Sequence, residues 1–412
     1  MRKLWFSIIL LAAVILSACT PRTPTAASAP TPALAKAPTE NASLPKMECV
    51  VVSLLPTPGP TEVSLYPPAS PDDWAKGNPN AAMTITEYSD FQCPYCAQFS
   101  QVTHQLLEAY PNDVRIIFRY FPLPSHALSL ISAYAAEAAG RQSKFWEMEE
   151  RLFSQQEAWT AFTEAQFTEW VDTQAKDLGL DVSKFQQDMK DPAISEKVNA
   201  AQKHAMDIQI PGTPFLLING RPYSDAPRDF ANLEAIIRLL RLSDRQITYC
   251  PPMEIDPARQ YTATIKTQKG DIRVQLLPDK APMAVNSFVF LARYGWFDNV
   301  PFFMVQHDLV AMSGDPAGTG YGNPGYTFAN EISNLKFNKE GMLAMYNEGP
   351  GSNGSTFFFT YVAKPDLDGK YTIFGEIIEG MDVAKKLTAR NPQLGGEVPQ
   401  ADMILTITIE EK

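Results

Sequence analysis

The sequence predicts two globular domains, an α/β fold with a helical insertion followed by an all-β closed barrel with flanking helices. Three observations carry this reading. With 412 residues the chain is too long for one ordinary core. Residues 83–241 alternate strand, helix and strand around a long helical stretch, and end on a strand and a helix. Beyond residue 255 the sequence turns to Gly, Phe and short alternating runs, the profile of a small barrel. The composition, 45% hydrophobic and 20% charged, is ordinary for a folded chain. A net charge of −11 with no basic stripe excludes a general nucleic-acid partner.

The chain opens as an export signal. Arg2 and Lys3 precede an apolar run from Leu4 to Leu16 that is short for a membrane span. Leu16-Ser17-Ala18-Cys19 closes residues 1–19 and resembles a bacterial lipobox, which implies lipid on Cys19; an ordinary signal peptide with an incidental cysteine is the alternative. Residues 20–46 are rich in Pro, Ala and Thr and read as a solvated linker. Its reach is about 30 Å as a coil and about 80 Å as extended polyproline. The expected location is therefore outside the cytoplasm, on a membrane, with the domains held off its surface.

Of the five cysteines, Cys93 and Cys96 form a C-x-x-C pair and Cys19 goes to lipid, leaving Cys49 and Cys250. In an exported chain this even remainder suggests a structural disulfide. It would clasp the ends of a first domain spanning 47–252, with a second over 253–412. Two unrelated buried thiols are the other reading.

In the first domain, 83–88 alternates as a strand and runs into Cys93-Pro-Tyr-Cys96. Phe99, Val102, Leu106 and Leu107 follow at helical spacing, which puts Cys93 at a helix start. Residues 114–121 form a second strand, 125–206 a helical region broken near Trp159 and Pro192, 215–218 a strand, Asn219-Gly220 a tight turn and 230–241 a closing helix. A helix N-terminus stabilises a thiolate, so Cys93 is expected as the exposed nucleophile and Cys96 as the resolving thiol. Pro94 and Tyr95 shape the turn between them. With no second C-x-x-C and four histidines in the chain, none close to Cys93 in sequence, no metal and no cofactor is expected. A disulfide without turnover remains as the alternative to redox exchange.

Phe91-Gln-Cys-Pro-Tyr-Cys96 and Gly212-Thr213-Pro214 together make residues 70–245 resemble the DsbA-like branch of the thioredoxin superfamily. The resemblance implies a cis proline at Pro214, with Thr213 and Pro214 positioning the substrate against the sulfurs. It leaves open whether the domain oxidises, reduces or isomerises disulfides.

In the second domain, 261–267 and 271–277 read as a hairpin and 282–294 as a helix opened by proline. Ala281-Pro282, the glycine-rich runs 314–320 and 322–325, Asn353-Gly-Ser-Thr-Phe-Phe358 and 367–375 follow in an order that resembles the cyclophilins, peptidyl-prolyl cis-trans isomerases. The resemblance implies a peptide groove on Phe303, Met304, Leu309, Val310, Met312, Tyr346, Asn347, Thr356, Phe357 and Phe358. Met304 stands where the family has its catalytic arginine, and Met312 and Thr356 where it has glutamines. Tyr346 replaces a groove alanine. A thioether cannot polarise a prolyl amide as a guanidinium does, and losing one such donor costs about 100–1000-fold in rate.

The expectation is a membrane-tethered folding factor that exchanges disulfides at Cys93 and Cys96. Its barrel binds proline-containing segments with weak or no isomerase turnover. A barrel that is an active isomerase and a non-enzymatic peptide-binding lipoprotein are the alternatives. The expected partners are client polypeptides with cysteines or X-Pro bonds, and a redox-recycling partner.

Overall fold

The computed structural model describes residues 46–52, 65–224, 227–394 and 398–412. The expected signal segment, Cys19 and the linker up to residue 45 lie outside them. Among the described residues no helix is long and apolar enough to cross a membrane.

After a short strap carrying β1 (Val50–Val51), the first domain runs β2 (Trp74–Gly77), β3 (Met83–Ser89), α1 (Pro94–Ala109) and β4 (Val114–Tyr120). The helical insertion follows as α2 (Ser129–Gly140), α3 (Phe145–Ser154), α4 (Gln156–Trp159), α5 (Glu164–Asp177), α6 (Val182–Asp188) and α7 (Pro192–Asp207). The breaks are local chemistry. Asp191 caps α7 and Pro192 opens it, while Thr163 and Gln166 close a capping box on α5. The domain ends on β5 (Phe215–Ile218), β6 (Arg221–Pro222) and α8 (Phe230–Arg241). Asn219 and Gly220, both at positive φ, turn β5 into β6.

Its sheet has the order β2-β4-β3-β5-β6, with β3 and β4 parallel and the other neighbours antiparallel. Central β3 is buried along nearly its whole length, packing Met83 and Ile85 against Phe99 and Leu106 of α1 and Leu233 and Ile237 of α8. That burial fixes where β3 ends and therefore where the cysteine loop emerges.

The second domain contains β7 (Tyr261–Thr267), β8 (Gly270–Leu276), α9 (Pro282–Arg293), β9 (Val300–Pro301), β10 (Met304–Val305), β11 (Val310–Ser313), β12 (Tyr326–Thr327), β13 (Met342–Met345), β14 (Phe357–Thr360), β15 (Ile373–Glu379), α10 (Met381–Ala384) and β16 (Met403–Glu411). Nine strands form one sheet in the order β10-β11-β14-β13-β15-β8-β7-β16-β9. Its two edge strands are chain neighbours joined by Phe302 and Phe303, so the sheet curls back on itself. Phe288, Phe297, Phe357, Phe359 and Phe374 fill the inside.

Cys49 and Cys250 are bonded as expected, with Cα atoms 5.6 Å apart, across the two ends of the first domain. Residues 47–52, expected as the start of that domain, belong instead to the barrel as a strap. Val50 and Val51 pair with Thr327 and Tyr326, Val52 N–H donates to the Gly325 carbonyl, and Met47 is buried in the barrel core. Helix α9 is buried on all sides. Ala284 through Ala292 are all buried, and Asn286 donates to the Pro252 carbonyl while accepting from Glu254 N–H. The strap and the linker around residue 250 cover the side of α9 that carries Asn286.

The seam between the domains is made at the end of α8. Arg238 donates to the Ala317 carbonyl, and Arg245 donates to the carbonyls of Gly295 and Trp296 and lies 5.3 Å over the Trp296 ring. Ile247 N–H reaches the Pro324 carbonyl at 2.8 Å.

Candidate functional site

Cys93 is the N-cap of α1, in extended backbone, and Pro94 takes the first helical turn. The N–H groups of Cys96 and Ala97 point back to its carbonyl. Three side chains hold this turn. Asp90 is buried and accepts from Gln92 N–H at 2.8 Å and Leu123 N–H at 2.9 Å, and pairs with His126 at 2.7 Å. Gln92 accepts from Leu128 N–H, and Gln156 of α4 donates to the carbonyls of Phe91 and Cys93. The helical insertion thus grips the loop that carries the sulfurs.

The Thr213–Pro214 peptide is cis, and the Cys93 thiol donates to the Thr213 carbonyl at 3.3 Å. The Thr213 hydroxyl is buried beside Cys93, and Arg228 steadies the loop by donating to the Pro214 carbonyl. This loop covers Cys93, which is only 3% exposed; the expectation of an exposed nucleophile is corrected on that point. Tyr95, 67% exposed, is the solvent-facing member of the motif.

The two thiols titrate apart. The neighbouring Cys96 thiol is the main cause that brings Cys93 down to about 6; burial opposes it, and Thr213 and the N–H groups of Cys96 and Tyr95 assist. Burial pushes Cys96 well up, with Cys93 and the charge of Glu87 adding to it. Glu87 itself is pushed up to about 8, first by burial, against the hydrogen bond from Ser89. Ser89 donates to Glu87 at 2.6 Å and also interacts with Cys96. Sequence reasoning missed Glu87, yet its signal was present. It has the parity of Met83 and Ile85 on the inward face of β3, where a carboxylate is out of place.

On the barrel, the groove residues form their own apolar cluster outside the core. Met304 pairs with Met312, Met312 with Phe358, and Phe358 with Ala344, across four neighbouring strands. Phe303, Leu309, Val310 and Tyr346 join them, and Tyr371, not foreseen, meets Phe358 edge-on at 5.3 Å and stacks on Tyr346 at 6.4 Å. Thr356 accepts from Tyr346 N–H through its carbonyl, and Asn347 donates to Asn353. Phe357 does not line the groove. It points inward against Phe288 and Phe297, because neighbours on a strand face opposite ways. Among the described residues, no group of three or more His, Cys, Asp and Glu is placed to hold a metal ion.

The fold and its two sites define a chain with a thioredoxin-like cysteine pair and a cyclophilin-like groove. Residues 69–238 match the thioredoxin family model, and residues 262–409 match the model described as cyclophilin type peptidyl-prolyl cis-trans isomerase/CLD. The second region is 41% identical over 128 residues to peptidyl-prolyl cis-trans isomerase CYP18-2 of Arabidopsis thaliana, covering 30% of this chain and 78% of that one. It is 40% identical over 146 residues to peptidyl-prolyl cis-trans isomerase A of Mycobacterium tuberculosis, covering 32% and 80%. Against peptidyl-prolyl cis-trans isomerase-like 2 of Cryptococcus neoformans it is 40% identical over 149 residues, 35% of this chain but only 26% of the relative's length. A solved cyclophilin type isomerase of Cryptosporidium parvum covers 37% of this chain and 98% of its own at 29% identity, with a TM-score of 0.34. Through residues 262–409 the chain belongs to the cyclophilin family.

Proposed function

We propose that this chain is an extracytoplasmic folding factor of the DsbA-like type, exchanging disulfides with client polypeptides through Cys93 and Cys96. The observation that carries this reading is the pairing of a thiol brought down to about 6 with a buried partner pushed well up, beneath a cis-proline loop. At neutral pH the first is a thiolate, ready to attack a client disulfide or to leave from a mixed one. The second keeps its proton until it must resolve the intermediate. Glu87, through Ser89, is the base that takes that proton. Charge on Cys93 is one of the causes that raise Glu87. A mixed disulfide removes this charge, and Glu87 becomes more ionised at the moment a base is needed. The Cys49–Cys250 bond supports an oxidising compartment, and with it export; the lipid anchor on Cys19 rests on the Leu16-Ser17-Ala18-Cys19 sequence. Oxidation of a reduced client by wild type and by Cys93→Ser tests the redox reading; equal rates overturn it.

The barrel, in this reading, holds proline-containing segments in an apolar groove and turns them over slowly. Met304 supplies no charge to polarise the amide, and the adjoining Met312 and Phe358 leave it in apolar surroundings. The isomerase names of its relatives favour the alternative, an active second catalyst. Proline isomerisation by the full chain, beside its Met304→Arg variant, separates the two. A gain in the variant over an inactive wild type supports slow turnover, and an active wild type supports two catalysts.

A further inference from the structure

The glycine-rich loop after β11, residues 314–322, touches groove residues at two places. A Cβ on Gly314 would sit 2.1 Å from the Ser355 carbonyl oxygen and 3.0 Å from Cα of Thr356. A Cβ on Gly320 would sit 3.3 Å from Cε2 of the Phe303 ring. Between these points the buried Asp315 gathers the loop, accepting from the N–H groups of Ala317, Thr319 and Gly320 and from the Thr319 hydroxyl. A shift of the loop therefore moves Phe303 and Thr356 with it.

The first domain holds the same loop from outside the barrel. Arg238 of α8 donates from Nη1 to the Ala317 carbonyl at 3.0 Å, and Gln246 donates to the Asn323 side chain at 3.1 Å. Leu242, just past α8, comes within 2.8 Å of where a Cβ on Gly322 would stand. Arg238 is unlike an arginine that serves its own domain. Arg119 uses all three nitrogens, on Asp73, the Tyr88 hydroxyl and the carbonyls of Pro67 and Pro68. Arg238 leaves its Nε buried without an acceptor, and Glu234, which also accepts from Tyr110, stands 3.7 Å from Nη2. Its hydrogen bond goes to a carbonyl of the other domain.

We propose that Arg238 is a positioning residue for the peptide groove, so that the thioredoxin-like domain completes the binding site of the barrel. This rests on the reading of the barrel as a holder of proline-containing segments. The guanidinium pins the loop at Ala317, the loop sets Phe303 and Thr356, and the Thr356 carbonyl accepts from Tyr346 N–H at 2.9 Å. Arg238 acts through the backbone of the loop, so its loss weakens the affinity for peptide.

The test titrates the full chain with a fluorescent pentapeptide carrying one Phe-Pro bond, read by anisotropy. Arg238→Ala is expected to raise the dissociation constant about tenfold, through loss of one charge-assisted hydrogen bond. Arg238→Lys should return it to within about threefold of wild type, because a single ammonium N–H suffices for a single carbonyl. A merely structural role would lower the number of binding-competent molecules and leave the dissociation constant of the rest unchanged, so amplitude and midpoint separate the two. Thiol exchange at Cys93 should stay within about twofold of wild type in both variants. An unchanged dissociation constant in Arg238→Ala, or a loss that Arg238→Lys does not repair, overturns the positioning role while leaving peptide binding by the barrel intact. If Arg238→Ala does not fold, Arg238→Met, which keeps the apolar stem and removes the donors, is read by the same outcomes. No binding of the peptide by wild type overturns the reading of the barrel and the positioning role together.

Discussion

Gln156 donates to the carbonyl oxygen of Cys93 at 3.0 Å, from a four-residue helix 63 positions further along the chain. The same amide reaches the Phe91 carbonyl at 2.7 Å, so one buried side chain ties down the backbone on both sides of Gln92. Substitution Gln156→Leu leaves the buried Phe91 carbonyl unpaired, at a cost of about 1–3 kcal/mol, and takes one donor from the Cys93 carbonyl, which keeps those of Cys96 and Ala97 N–H. The variant is expected to unfold at lower denaturant concentration and to exchange disulfides more slowly. Equilibrium unfolding monitored beside client oxidation checks both, and a variant with wild-type stability contradicts the role given to Gln156.

Alkylation kinetics read the thiols directly. The reduced protein is expected to be modified once, at Cys93, with a rate that reaches half its plateau near pH 6. Cys96 should stay unmodified until the fold is opened, since its thiol is pushed well up and buried. The folded Cys93 thiol lies below its ordinary value of 9.0, so the stability it contributes to the reduced protein is present above 9 and is lost as pH falls through about 6.

Glu87 has the opposite sign. Its folded value of about 8 lies above the ordinary 4.5, so its burial costs nothing below 4.5 and progressively more as pH rises through about 8. The expected outcome for Glu87→Gln is therefore a gain of a few kcal/mol, as an order of magnitude, at pH 9 and almost none at pH 4. Slower resolution of mixed disulfides should accompany the gain. Thermal unfolding across that pH range gives the answer, and a variant destabilised at pH 9 contradicts the assignment.

At the seam, Gly325 has φ of +94°, and a Cβ there would sit 2.4 Å from the Ile247 carbonyl oxygen. Gly325→Ala must move the linker or the strap, a strain of about 1–3 kcal/mol. The barrel core should survive while its contact with the first domain loosens. Limited proteolysis around residues 245–255 is expected to quicken, and a cleavage pattern identical to wild type would count against a rigid seam.

What the sequence revealed and what it hid divide along the range of the interactions. The β3 strand, the start of α1 and the helix at 230–241 were legible because their periodicity and capping are local. The cis-proline loop was legible through family likeness and not through any pattern in its residues. Glu87 was overlooked because the eye follows the β-branched alternation and passes over the one acid in register with it. Phe357 was misplaced because three phenylalanines in a row, 357–359, erase the period of two that tells one face of a strand from the other. The strap was out of reach in principle, since the pairing of Val50 with Thr327 spans most of the chain and leaves no mark in either segment.

That strap changes how the molecule is to be counted. The barrel is built from residues on both sides of the first domain, with Met47 in the same core as Ile247 and Phe288. In chain order the thioredoxin-like domain is a guest inserted into a cyclophilin host, and the Cys49–Cys250 bond ties the neck of that insertion across 201 positions. As the chain emerges in order, Met47 comes out first and has no core to enter until α9 and β12 have followed it. The guest can be complete while its host still waits for its last strands. The bond at the neck can only be made once Cys250 has arrived, by which time the Cys93–Cys96 pair is already assembled beside it in sequence.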